Sequence, residues 1–188
     1  MLLNLNELKQ KHNLTINGVL HIGAHHGEEF DTYKSMGINK IIFVEPHPTN
    51  FKVLVENIQA KMTEGDEVMF IFNALGDERK ITTMYCETKN TGQSNSLLEP
   101  AQCLEEYPDI VYETKINVTV ERLDDLLLPD WARDINFINI DTEGYELMAL
   151  RGGKQFIKQV QYIYSEISSV DRYKGCTKID ELEMFLAQ

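Results

Sequence analysis

Nowhere does the sequence contain an apolar run near the ~20 residues that a membrane-crossing helix needs; runs such as residues 68–72 are far shorter. The N-terminus also lacks the basic-then-apolar pattern of a signal peptide. These absences predict a soluble, cytoplasmic protein with no membrane span. Cysteine is scarce as well. Cys86, Cys103 and Cys176 are odd in number, far apart and without a CxxC pair, which argues against a disulfide framework or a structural zinc site and for buried or idle thiols. Basic residues are few, 18 against 30 acidic ones, for a formal charge of −12. A chain so acidic is poorly suited to hold a phosphate backbone, so long nucleic acids are excluded as partners.

Repeats, low-complexity tracts and linkers are absent too, and 43% hydrophobic with 26% charged residues is ordinary globular composition. Its 188 residues suit one domain, 1–188. Short apolar runs alternate with helical patterns, the rhythm of an α/β fold. Strands are expected over residues 19–22, 40–45 and 67–73, each β-branched or aromatic enough for a buried strand. Between them, residues 28–36 and the spaced Phe51, Leu54, Val55 and Ile58 predict helices. The middle differs. Strands at 81–86 and 115–121 flank a polar, turn-rich stretch at 90–102, which predicts a small β lobe inserted at about 78–121. Alternation then resumes with a helix near 122–128, a strand at 136–140, a helix from Tyr145, a strand at 162–167 and a helix at 179–187. That helix ends with neither a glycine cap nor a further strand, so a C-terminal truncation of a longer chain is expected.

Four polar strand ends carry the chemistry. After the first strand stands His21-Ile22-Gly23-Ala24-His25-His26-Gly27, a glycine-bearing turn of the kind whose amides attract anions at a helix start, although glycine also serves ordinary turns. Glu45 ends the second strand, 22 residues beyond Gly23, where a carboxylate can accept both ribose hydroxyls or lie solvated. NAD is open on this evidence, but its GxGxxG fingerprint would need a second glycine where His25 stands. Asn73-Ala74-Leu75-Gly76-Asp77 adds a polar edge beside the same crevice, with Asn73 able to face an adenine. Ile138-Asn139-Ile140 delivers Asp141 to that end of the sheet, while Glu143 and Glu146 read first as acids at a helix N-terminus.

These segments, together with Val44-Glu45-Pro46 and Ile140-Asp141-Thr142-Glu143-Gly144-Tyr145-Glu146-Leu147 followed by Leu150-Arg151-Gly152, resemble the FkbM-type methyltransferases in order and spacing. The resemblance covers most of the chain. It implies a class I methyltransferase fold, a Rossmann-like, doubly wound, mostly parallel sheet. It also implies S-adenosyl-L-methionine held by His21, Gly23, Ala24 and His25, with its ribose on Glu45 beside Pro46, its adenine near Asn73, Ala74 and Leu75, and Asp141 close by. O-methylation of a sugar, glycan or small metabolite hydroxyl is the activity it implies. One departure is His21, where members usually carry aspartate; a histidine there can contact the donor carboxylate or sit satisfied in the core.

Gly92-Gln93-Ser94-Asn95-Ser96-Leu97 matches a serine-bearing loop that in the family lies near cofactor and acceptor. Ser94, Asn95 and Ser96 are therefore acceptor-side candidates, joined by Glu143 and Glu166, with a plain polar loop as the alternative. Methyl transfer to a hydroxyl benefits from a base, for which Asp141, His25 and His26 are available, although both histidines can equally face solvent. No carboxylate and histidine cage stands out, so no metal is inferred. Two other functions stay open: a non-catalytic S-adenosylmethionine-binding module and an NAD-dependent dehydrogenase.

Overall fold

The computed structural model describes residues 4–106 and 108–187. In chain order its elements are α1 Leu5–His12, β1 Val19–Ile22, α2 Phe30–Ser35, β2 Lys40–Val44, α3 Pro48–Gln59, β3 Glu67–Ile71, β4 Ala74–Leu75, β5 Lys80–Cys86, α4 Cys103–Glu106, β6 Thr114–Glu121, β7 Phe137–Ile140, α5 Glu146–Arg151, β8 Tyr162–Ser165 and α6 Ile179–Leu186. Five strands form a sheet in the order β3-β2-β1-β7-β8, with every pair parallel. From β1 the chain steps outward through β2 to β3, then returns to the far side of β1 as β7 and β8. The order reverses between β1 and β7, and at such a point a crevice opens beyond the carboxyl ends of the strands.

The apolar runs explain why this sheet is buried on both faces. All four residues of β1 and of β7 are buried, the pattern of a parallel strand covered on both sides. Alternate residues feed two cores. Leu20, Ile22, Ile42, Val44, Ile138 and Ile140 pack with Leu147 and Leu150 of α5 and Leu182 of α6. Val19, Ile41, Phe43 and Phe137 pack on the opposite face with Phe30 and Tyr33 of α2 and Leu54 and Ile58 of α3. Each fully buried large side chain contributes about 1.5–3 kcal/mol, enough for the two layers to fix the strand ends. Among the described residues no helix is long and apolar enough to cross a membrane. All three cysteines are buried and free.

Several boundaries differ from the sequence reading. The expected strand 67–73 divides: β3 stops at Ile71, Phe72 is 50% exposed, and Ala74–Leu75 joins a second sheet of order β4-β6-β5. There β5 and β6 pair antiparallel from Lys80↔Val120 to Cys86↔Thr114. The helix expected near 122–128 is a 3-10 turn, Leu123–Asp125, with Leu126 already extended. Two local demands stop it. The Asp124 carboxylate accepts the amides of Gln155 and Phe156, and Leu128 precedes Pro129, which disfavours helical backbone.

One glycine fixes how closely β1 and β7 approach. Gly23 has φ +82, and a Cβ there would overlap the Asp141 carbonyl. Its lack of a side chain serves that contact between two strand ends, in addition to any ligand.

Candidate functional site

The turn after β1 is wired into the protein more fully than its composition suggests. Gly23 and Ala24 both donate their amides to the Val44 carbonyl at 3.0 Å. The His25 amide donates to Glu45 Oε2 at 2.9 Å, that of His26 to Glu28 Oε2 at 3.2 Å, and that of Gly27 to the Ala24 carbonyl. The free amides expected of an anion-binding turn therefore already have partners, and Glu28 supplies an internal carboxylate. Sequence reasoning missed Glu28. The signal for it was the H-H-x-E spacing across a turn that opens a helix.

Two cavities meet at the crevice. An inner cleft is lined by Gly23, His25, Glu45, Pro46, Asn73, Ala74, Leu75, Asn95, Asp141 and Glu143, with Met84, Leu97 and Tyr145 as apolar walls. A wider outer cavity of about 650 Å³ is lined by His21, Ala24, Ser94 and Glu166, and shares Gly23, His25, Asp141 and Glu143 with the cleft. Asp141 and Glu143 thus stand at the junction. His26 and Ser96 line neither cavity. Ser96 is buried, donating through Oγ to the Glu143 carbonyl at 2.8 Å and accepting from the Leu98 amide at 3.0 Å, which pins the loop to the turn after β7.

Glu45 is 4% exposed and accepts from the His25 and His47 amides, one on each oxygen, at 2.9 and 2.8 Å. Each oxygen keeps a lone pair for a ligand. Burial pushes the carboxyl up to about 7 despite those two amides. Across the cleft, Asn95 is buried, its Oδ1 accepts from the Glu87 amide at 2.9 Å, and its Nδ2 has no partner among the described residues. A buried donor left unmade costs about 1–3 kcal/mol, so Nδ2 is an orphan that a bound molecule can satisfy. The loop bearing it is held by buried Glu87, which takes the amides of Lys89, Asn90 and Gly92.

The junction is acidic. Enclosure, followed by the charges of Glu143, Glu166 and Glu146, raises Asp141 well above the usual carboxylate range. Burial, with Glu166 adding to it, pushes Glu143 up to about 7. Glu166 is paired with Arg172 at 3.5 Å. Buried Glu146 accepts through Oε1 from the Thr142 amide, the Thr142 hydroxyl and the Gly144 amide, all at 3.0 Å, holding the turn that presents Asp141. Among the described residues, five acidic side chains line the outer cavity, Glu28, Glu29, Asp141, Glu143 and Glu166, and no lysine or arginine does. Such a surface favours cations and relieves its own repulsion by binding one.

The two histidines of the turn have unlike surroundings. His25 Nδ1 lies 2.7 Å from Glu28 Oε1, and Nε2 lies 2.9 Å from the Thr91 carbonyl. Both partners are acceptors, so the ring is held protonated; its pKa is raised although burial opposes this. A cationic ring with both N–H groups engaged does not take up a proton. His26 stacks on it, centroids 3.7 Å apart, and is lowered by burial and by His25.

His21 faces a buried network: Tyr33 Oη is 3.3 Å from Nδ1 and Asn139 Nδ2 is 3.3 Å from Nε2. Burial lowers its pKa to about 4 from 6.5, against the pull of Glu28. The fold holds it neutral, while the unfolded chain gains a proton below about 6.5. This contribution to stability is therefore complete above pH 6.5 and is lost as pH falls toward 4, in total on the order of 3 kcal/mol. Urea unfolding of His21→Gln beside the parent should show a shallower loss of stability across that window. Identical pH slopes would mean that His21 does not titrate as a buried neutral group.

A profile described as the Methyltransferase FkbM domain matches residues 21–188. A 2-O-methyltransferase NoeI of Sinorhizobium fredii (strain NBRC 101917 / NGR234) is 30% identical over 89 residues, which cover 47% of this chain and 37% of that protein. The match thus spans little more than a third of the relative's length. With the family profile covering nearly the whole chain, including every strand end that lines the two cavities, the chain belongs to the FkbM methyltransferase family.

Proposed function

We propose that the chain is an S-adenosyl-L-methionine-dependent methyltransferase acting on a hydroxyl of a sugar, glycan or small metabolite. The observation that carries this reading is the meeting of two cavities at Asp141: one has the fittings for an adenosine, the other has room for an acceptor. Glu45 offers a lone pair on each oxygen for the ribose hydroxyls, the orphan Nδ2 of Asn95 offers a donor, and Asn73, Ala74 and Leu75 supply a wall for the base. The donor group would bring a methyl on a positively charged sulfur, and the acidic junction suits that charge. The residues therefore fit the cofactor. The name of the relative, a 2-O-methyltransferase, supports transfer to oxygen.

In this reading Asp141 orients the acceptor hydroxyl and takes up its proton as the oxygen becomes nucleophilic. His25 is already protonated and serves the turn through Glu28 and Thr91. Glu143, Glu166 and Ser94 face the acceptor, and the carboxylate lining disfavours acceptors that carry phosphate or carboxylate. Three buried free thiols fit a reducing compartment, and we place the protein in the cytoplasm on the same reading.

The experiment is methyl transfer from isotopically labelled S-adenosylmethionine to a panel of neutral, cationic and anionic sugars. Transfer to neutral or amino sugars in preference to sugar phosphates is the expected result; labelling of sugar phosphates alone would contradict the acceptor assignment. A second reading, a module that binds the donor without turnover, draws support from the turn whose amides already have partners. Donor binding with no labelled product from any acceptor would favour it.

Asn95 lines the inner cleft, although the loop reading grouped it with the acceptor residues. Asn95→Asp keeps the oxygen that holds the Glu87 amide and removes the orphan donor. A net hydrogen bond of about 0.5–1.5 kcal/mol predicts a two- to roughly tenfold weaker donor Kd by calorimetry. An unchanged donor Kd with a shifted acceptor KM would return Asn95 to the acceptor side.

A further inference from the structure

At the outer rim of the crevice, the turn after β1 gathers two imidazoles and a carboxylate. His25 takes φ +44 and Gly27 φ +76, and this bend brings the side chains of residues 25, 26 and 28 together. Their nearest ligand atoms all lie within 4.8 Å of one another. His25 Nδ1 is 2.7 Å and His26 Nδ1 4.0 Å from the same oxygen, Glu28 Oε1. We propose that His25, His26 and Glu28 form a binding site for one divalent transition-metal ion of the zinc, cobalt or nickel class.

The distances fit such an ion. Metal–imidazole and metal–carboxylate bonds of about 2.0–2.2 Å place two ligands of one ion roughly 3–3.5 Å apart, between the two separations found here. The His25–Glu28 pair needs to open by only a few tenths of an ångström, whereas His26 must turn out of its stack on His25, where the rings lie 3.7 Å apart at 23°, for its Nδ1 to point at the same ion. The atoms behind the ligands are also in place. His25 Nε2 donates its N–H to the Thr91 carbonyl at 2.9 Å, so a bound ion takes the place of the proton that Nδ1 shares with Glu28, and that proton is released to solvent. Glu28 Oε2 accepts from the His26 amide, which turns Oε1 toward the histidines. Partners of this kind fix the tautomer and orientation of metal ligands.

Two imidazoles with one carboxylate suit borderline ions over magnesium or calcium, which take oxygen sets. Three protein ligands leave coordination positions open. His25 and Glu28 also line the outer cavity, so an open position there can take water or an acceptor oxygen. Glu28 is half exposed, which gives an ion a path from solvent.

The test is a cobalt titration of tag-free, chelator-treated protein at neutral pH, followed by the visible d–d bands and by calorimetry. One equivalent bound with a micromolar or tighter Kd is expected. Glu28→Gln and His26→Ala should each weaken binding by at least the roughly 10–100-fold seen even for outer partners of metal sites, with circular dichroism verifying the fold. His47→Ala should bind like the parent, because that ring caps α3. No binding below millimolar cobalt, or equal affinity in the parent and both variants, would overturn the proposal and leave the cluster as a hydrogen-bonded ion pair. The readout is the metal alone, so its outcome is independent of whether the chain transfers methyl groups.

Discussion

Glu45→Ala should raise the dissociation constant for S-adenosylhomocysteine by roughly 10²–10⁴. Above the value of about 7 to which burial raises it, Glu45 is ionised, and two hydrogen bonds to a charged group at about 1.5–3 kcal/mol each sum to about 3–6 kcal/mol, each 1.4 kcal/mol being a factor of ten. The variant should stay folded. Glu45 is buried at the cost of desolvation, which is why its carboxyl is raised to about 7, and its removal offsets part of the loss of the two amide contacts. Glu45→Gln keeps one oxygen for an amide and should lose less affinity than alanine. Calorimetry on both, with unfolding midpoints alongside, checks the ribose role. Affinity equal to the parent in a folded Glu45→Ala would remove Glu45 from the donor site.

Asp141→Asn should lower single-turnover methyl transfer by about 10²–10⁴, the usual contribution of a positioned base, while donor binding changes little. Asparagine keeps the shape and hydrogen-bonding edge but takes up no proton. The pH profile separates this role from a structural one. Asp141 is raised by enclosure and by neighbouring carboxylates, so the parent rate should climb with pH as the group loses its proton. In Asp141→Asn that dependence should flatten. A stable variant with the parent rate and profile would end the assignment. Neither histidine of the turn would then replace it, since His25 is held protonated by Glu28 and Thr91 and His26 lines neither cavity.

The strands that form the crevice were legible because buried parallel strands are written as apolar runs: residues 19–22 were read with the same limits as β1, and 40–45 lost only Glu45 to the site. What failed depended on distant partners. Nothing local marks Phe72 as the exit from the central sheet, because the alternative pairing of Ala74 and Leu75 is with Val120 and Glu121. The helix near 122–128 had acceptable periodicity, but Asp124 is committed to amides at 155 and 156. In the site, glycine spacing located the turn and Glu45. It could not reveal that Val44 and Glu28 already engage the turn's amides, since those bonds depend on strand register and one rotamer. The side of the crevice on which Asn95 falls was equally hidden. It is set by the course of residues 87–95, held by Glu87 and by the contact between Thr91 and His25.

The central claim is that the crevice between β1 and β7 is an adenosine site for a methyl donor, and a calorimetric comparison of S-adenosylhomocysteine with NAD tests it most directly. One equivalent of S-adenosylhomocysteine should bind, lose affinity in Glu45→Ala, and find no counterpart in the NAD titration. Binding of NAD with Glu45-dependent affinity, or no binding of S-adenosylhomocysteine to folded protein, would contradict the account.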